Sequence, residues 1–463
     1  MVRLLVLATF VVILNETLMI NAIPRLMESL HVTEQAAQWV STAFMLTMAA
    51  VIPVTGWFLQ RVTTRQGYTI AMGVFLAGTA LSAVAPTFSV LLAGRIIQAA
   101  GTAVMMPLLM TTLMTVVPEQ DRGKVMGNVT LAISVAPALG PAISGLILQL
   151  GSWRLLFVAV IPIAGAVTYF GLRQLDNIGE PQVSTLDWAS AAMATLGFGG
   201  LVYGLSLFGE GESNLGPSIG IVIAGAATIA SFVLRQLKLQ RTGAPLMDLR
   251  TLTHRTFALS LALMCVAFLA MMGSMILLPL YLQNLRGLTP LQTGLLLMPG
   301  GLAMGLLGPT VGRLYDRLGS RPLILPGSIG IVLSLAGFTQ VSMSMPYWQV
   351  LALHALLMVS LAATFTLIFT LGMGALPPNM YPHGSSILGT LQQVAAAVGT
   401  ALVVTVMSAR SSSLVAEGAA ASAAQLSGMK LAFVVATVLA VVTIVVAAML
   451  PSKTNASGEV MAH

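Results

Sequence analysis

Gly56-Trp57-Phe58-Leu59-Gln60-Arg61-Val62-Thr63-Thr64-Arg65 and Gly312-Arg313-Leu314-Tyr315-Asp316-Arg317-Leu318-Gly319-Ser320-Arg321 read as two copies of one short basic loop. Each joins two long apolar runs. Working outward from them, stretches long enough to cross about 30 Å of hydrocarbon recur along the whole chain. Fourteen are expected, at roughly 4–23, 38–60, 68–86, 88–116, 122–150, 155–172, 187–207, 217–237, 256–281, 291–312, 322–341, 346–372, 385–409 and 430–450. The first loop lies between the second and third of these and the second between the tenth and eleventh. A loop repeated eight spans apart fits two six-helix bundles with two further helices inserted between them.

Composition agrees. Of 463 residues, 57% are hydrophobic and only 8% are charged, against about a quarter in a soluble domain. Mean hydropathy is +0.93, which rules out a water-soluble enzyme with a charged surface. The net charge of +7 carries no nucleic-acid signal, because the basic residues sort by membrane side. With the N-terminus inside, fifteen of the 21 basic residues fall on the inner face, five fall outside, and Arg95 lies within a span. Both termini are therefore expected to be cytoplasmic. The first apolar run contains Asn15 and Glu16 and has no small-residue cleavage site, so it is expected to be retained as the first helix.

The implied layout is an N-terminal bundle over 1–180, an inserted pair with its linkers over 181–250, a C-terminal bundle over 251–451 and a tail over 452–463. Enzyme chemistry finds no support. The five histidines are scattered, Cys265 stands alone in an apolar run, and no Gly-rich Lys-Ser/Thr phosphate loop occurs. No metal and no cofactor are expected.

Glu16 is the acidic residue that falls within the body of a span, and a carboxylate in hydrocarbon usually faces a wet cavity or a partner charge. Burial favours its neutral form and a nearby cation favours its charged form, so a balanced group can load and release a proton. Arg95 does not deprotonate and needs carboxylate, carbonyl or water partners. Two readings of this pair stay open, a fixed structural pairing and a proton relay. One residue step turns a helix by about 100°, so Asn15 and Glu16 cannot both face the cavity squarely.

Several segments resemble a known family. Arg95-Ile96-Ile97-Gln98-Ala99-Ala100-Gly101 is similar to its intramembrane arginine motif. Ala136-Pro137-Ala138-Leu139-Gly140-Pro141-Ala142-Ile143-Ser144-Gly145 is similar to its Gly-Pro antiporter motif, and Trp153-Arg154 follows as the family's signature does. Leu14-Asn15-Glu16-Thr17 resembles a Leu-Asp-x-Thr stretch, with Asn15 at the aspartate. The loops resemble Gly-x-Leu-x-Asp-Arg-x-Gly-Arg-Arg/Lys; Gln60 and Thr63 depart from it, whereas Asp316, Arg317 and Gly319 keep it. The chain thus resembles the fourteen-helix drug:proton antiporters of the major facilitator superfamily, in particular bacterial multidrug and lincomycin-type exporters. That resemblance implies an all-α polytopic protein of the bacterial cytoplasmic (inner) membrane, driven by the proton gradient and working as a monomeric unit. Its expected partners are small molecules, protons and lipids; whether an adaptor protein joins it is left open.

Under this reading Glu16 and Arg95 couple protons. The small residues and prolines at Pro137, Gly140, Pro141 and Gly145 form a bent, closely packed gate. Arg61, Arg65, Asp316, Arg317 and Gly319 clamp the inner ends, with the Asp316 carboxylate facing a helix N-terminus. Polar and adaptable residues in apolar helices are the candidates for substrate contact: Asn15, Asn21, Met271, Met275, Tyr281, Gln283, Gln392 and Gln393. One buried acid suits neutral or monocationic amphipathic substrates. A narrow exporter of one metabolite, peptide or antibiotic is the alternative, and a non-transporting receptor or scaffold a remote one.

Overall fold

The structure, a computed structural model, describes residues 1–19, 22–178, 186–209, 215–241 and 245–452. Asn21 and the tail beyond 452 lie outside these. Among the described residues the regular elements are helices: α1 Val2–Leu18, α2 Ile23–Leu30, α3 Glu34–Arg61, α4 Thr64–Ala83, α5 Phe88–Val116, α6 Arg122–Gln149 and α7 Arg154–Gln174 come first. Then come α8 Trp188–Ser206, α9 Leu215–Leu239, α10 Arg255–Leu280, α11 Pro290–Leu318, α12 Arg321–Phe338, α13 Tyr347–Gly374, α14 Tyr381–Ala416 and α15 Ala421–Met449.

Twelve of these are long and apolar enough to cross a membrane, and α1 with α2, diverging by 60°, makes a thirteenth if taken as one span. Helix α4 is a full 20 residues but is not among them, because Arg65 and Gln66 in its first turn lower its apolar average.

Packing sorts the helices. Helices α1 to α7 pack on one another, as do α10 to α15, and the two groups meet along α6–α11 and along α3–α14. Helices α8 and α9 form a hairpin that docks through α8 onto α3 and α14. Enclosure follows from this: 72% of the apolar window of α5 is buried, against 17% for α9. The enclosed helix carries Arg95, while the peripheral one is apolar on nearly every side, as a lipid-facing helix must be. At one end of the hairpin, Arg235 donates to both carboxylate oxygens of Asp187 at 2.7 and 2.9 Å. That bonding pulls the Asp187 carboxyl down to about 2. Gln236 donates to Ser190 at 2.7 Å and accepts from the Leu246 and Met247 amides, tying the following linker to the hairpin.

The two short loops turn differently. Gly319 ends α11 at φ 83, a left-handed conformation that favours glycine. Thr63 sits at φ −68 and caps α4 in a reciprocal capping box with Gln66. The first copy therefore needs no glycine where the second has one.

Candidate functional site: a buried arginine network and two seams

Helices α1, α3, α4 and α5 bring a polar cluster into the interior of the first helical group. Arg95 is 1% exposed. Its Nη1 donates to Gln98 Oε1 at 2.6 Å and to Asn15 Oδ1 at 3.3 Å, and its Nε donates to the Val40 carbonyl at 3.5 Å. The guanidinium also lies 4.2 Å from the centroid of the Phe44 ring, a favourable cation–π position. Gln98 passes the chain on, donating to Thr79 Oγ1 at 2.7 Å. Arg95 is thus held by neutral acceptors, and a fixed pairing with a carboxylate is absent among the described residues.

Asn15 and Glu16 take different positions in this cluster. Asn15 is 1% exposed and bonded to Arg95. Glu16, turned by about 100°, stays partly exposed yet close enough for its charge and that of Arg95 to interact. The neighbouring turn of α1 is pinned to α6. Thr17 Oγ1 donates to the Ala136 carbonyl at 3.4 Å, and Ser144 Oγ donates to the Leu18 carbonyl at 2.6 Å. A side chain at Gly140 would run into Thr17, so this glycine allows the close approach. Gly145 faces open space and takes no part in that contact. Pro137 lies where these α1 contacts and those that α6 makes with α11 overlap, between Ala136 on Thr17 and Ala138 on Gly301.

The two seams close the molecule at the end that bears the short loops. Along α6–α11, Gly123 packs on Gly312 and Gly127 on Gly308, backbone against backbone. Asp316 Oδ1 accepts from the Gly123 amide at 3.0 Å and Oδ2 from the Lys124 amide at 2.8 Å, which caps the first turn of α6. Along α3–α14, Ser386 Oγ donates to the Ile52 carbonyl at 2.7 Å, and the Gln60 amide lies 3.0 Å from His383 Nε2. Thr130 meets Thr366 at 3.0 Å and Thr111 meets Ser385 at 3.1 Å. The hydrogen bonds between the two helical groups among the described residues all lie in this end.

A profile described as Major Facilitator Superfamily matches residues 5–400. The chain belongs to the major facilitator superfamily. Its relatives include an uncharacterised MFS-type transporter, YcnB, of Bacillus subtilis strain 168, 37% identical over 95% of this chain and 92% of that one. The lincomycin resistance protein LmrB of the same strain is 35% identical over 95% and 93%. The multidrug resistance protein Stp of Mycobacterium tuberculosis is 27% identical over 87% and 74%. Among solved structures, the human organic anion transporter MFSD10 has a similar fold, with TM-score 0.67 at 17% identity over 96% of this chain and 98% of that one. The proton:xylose symporter XylE scores 0.62 at 14% identity over 96% and 95%.

In this major facilitator protein the remaining candidates fall in different places. Met271, Gln283, Gln392 and Gln393 are partly exposed, Met275 is 46% exposed, and α10 and α14, which carry all of these but Gln283, pack together. Tyr281 does not join them: it is fully buried, donates to the Ser342 carbonyl at 2.6 Å and accepts from Arg286 at 2.7 Å. Its role is to pin a chain corner. Arg61 stacks 4.9 Å from Trp57, whereas Arg65 and Arg317 are exposed.

The sequence reading gave no role to Gln98, Val40 or His383. Gln98 was legible, since it lies one turn from Arg95 on the same helix face. The others come from distant helices and carry no local signal.

Proposed function

We propose that the chain is a proton-driven exporter of neutral or monocationic amphipathic molecules, working by alternating access in the bacterial cytoplasmic membrane. In this reading it has fourteen spans, two bundles of six with α8 and α9 inserted, and acts as a monomer without a cofactor. Kinship with lincomycin and multidrug resistance proteins supports export of small molecules. The basic bias of the loops supports cytoplasmic termini, which makes the closed end cytoplasmic and the described state outward-facing.

One observation carries the coupling. Glu16 stands partly exposed beside a buried arginine that is already held by neutral groups. Its charge is therefore free to change without breaking a structural ion pair. A proton arriving from outside neutralises Glu16 and alters the field at Arg95. Because α1 is bonded to α6 within two residues of Glu16, that change reaches the helix that builds a seam.

The test uses purified protein in liposomes with an interior pH dye and an imposed gradient of neutral or monocationic lipophilic drugs. Substrate-dependent proton flux is expected in the wild type and none in Glu16→Gln, with drug binding retained. Equal flux in the two proteins would remove Glu16 from the coupling role.

A further inference from the structure

The two seams are built from corresponding residues with different chemistry. A constant spacing separates Ile52 from Gly308, Gly56 from Gly312 and Gln60 from Asp316 on one side. Another relates Arg122 to Tyr381, Gly123 to Pro382 and Lys124 to His383. Contacts follow that correspondence: Gly312 packs on Gly123 and Lys124, and Gly56 packs on Pro382 and His383. In the α6–α11 seam a carboxylate takes the free amides of Gly123 and Lys124. In the α3–α14 seam the carboxylate and one of its two donors are gone. Gln60 has no charge, and Pro382 has no amide hydrogen to donate. The His383 ring fills the gap and meets the Gln60 amide at 3.0 Å.

We infer that Gln60 and His383 form a proton-sensitive latch, which makes α3–α14 the seam that loosens first when the cytoplasmic end opens. The ring is 5% exposed, and its Nδ1 is buried without a partner beside Gly56. A second proton charges a ring cut off from water, where the Leu246 backbone is the acceptor at hand. It also places a positive charge in the first turn of α14, where the helix dipole is already positive. The surrounding charges do not compensate. Asp248 and Arg250 act on the ring, but Arg250 engages both Asp248 oxygens at 3.0 and 2.6 Å. Glu119 is paired with Arg122, which itself reaches the Tyr381 hydroxyl at 3.4 Å. On α3, Arg61 lies over Trp57; Asp187, before α8, is held by Arg235; and α10 contributes the cation Arg255. Asp316 has no counterpart of this sensitivity, since a carboxylate at a helix N-terminus is stabilised in its charged form.

The inference rests on alternating access for its meaning, but its measurement uses neither substrate nor proton gradient. Failure of proton-coupled export would appear in the liposome assay and leave this result standing. Cys265, the free cysteine, is replaced by alanine. Spin labels are placed on exposed Gln66 and Asn379 across the α3–α14 side, and on exposed Gln120 and Leu318 across the α6–α11 side. Distances are read by pulsed electron spin resonance in nanodiscs between about pH 8 and about pH 5.5, the range in which imidazole titrates. Acidification is expected to enlarge the long-distance population of the 66–379 pair by up to about tenfold per pH unit. The 120–318 pair should stay unchanged, and His383→Asn should abolish the response. Gln60→Asp supplies an independent reading, because a carboxylate beside the ring holds the protonated form and acid should then tighten the seam. An absent response in the wild type, equal lengthening of both pairs, or a response surviving in His383→Asn would overturn the inference. Should His383→Asn fail to fold, loosening of Gln60→Asp by acid would do so.

Discussion

Asp316→Asn changes one atom of the α6–α11 seam and nothing of its size. The carboxylate accepts from the Gly123 and Lys124 amides at 3.0 and 2.8 Å; the asparagine keeps one of those acceptors and turns an NH2 against the other donor. A lost hydrogen bond to a charged group is worth about 1.5–3 kcal/mol, and loss of the charge at the α6 terminus about 0.3–1 kcal/mol at a partly exposed site. Allowing for solvent, the closed seam should weaken by about 2–3 kcal/mol, an increase of about 30- to 160-fold in the open population. The reporter is a cysteine at Thr130, 4% exposed behind the seam, in a Cys265→Ala background. Its maleimide labelling rate is proportional to the open population. Labelling within about twofold of the parent rate would mean that Asp316 does not hold the seam, since even about 0.5 kcal/mol exceeds that.

Gly312→Ala should act in the same direction, because its Cβ would press on the Gly123 carbonyl, and overpacking costs about 1–3 kcal/mol. Gly145→Ala, facing open space, should leave the same labelling rate and transport unchanged. Arg95→Lys should lower transport and the thermal midpoint, and Arg95→Leu should lower the midpoint further. Leucine leaves Gln98 and Asn15 without their donor, at about 1–3 kcal/mol for a buried unpaired group; thermal unfolding in detergent ranks the two. Asp187 titrates below its ordinary value of 3.8, near 2, because Arg235 bonds it. Its contribution is therefore full above that ordinary value and lost as pH falls towards about 2. The stability difference between wild type and Asp187→Asn should accordingly be constant from neutral pH to about pH 5 and shrink below pH 4, as acid-unfolding curves of the two proteins would reveal.

Apolar length made the helices legible, because hydrocarbon demands about 20 residues whatever their detailed packing. The same measure found the run at 68–86, although two polar residues in the first turn keep α4 out of the twelve most apolar helices. That Asn15 and Glu16 stand side by side within a span was legible, but not which of them bonds Arg95. Which of two adjacent side chains meets Arg95 depends on the rotation of α1, and Thr17 and Ser144 set that rotation through α6. Tyr281 read as a polar residue in an apolar helix. It is one, but its hydroxyl is spent on the Ser342 carbonyl. The Gln60–His383 contact joins residues 323 positions apart, and only the three-dimensional superposition of the two halves brings them together.

Helix α6 ties these observations into one mechanical argument. Its first half forms the seam with α11 through Gly123, Gly127 and the Asp316 cap. Its second half carries α1 through Ala136, Gly140 and Ser144. Pro137 sits where the two sets of contacts overlap, with Ala136 on α1 and Ala138 on Gly301 of α11, and a proline there removes one backbone bond and eases bending. A displacement of α1 at Glu16 is consequently delivered to α6 on both sides of Pro137, at Ala136 and at Gly140 and Ser144. The α3–α14 seam is tied to α1 less directly, through Arg95, which bonds Asn15 of α1 and the Val40 carbonyl of α3. In the proposed cycle the proton at Glu16 therefore bears on α6 through Thr17 and on α3 through Arg95, whereas the proposed latch at His383 bears on the α3–α14 seam.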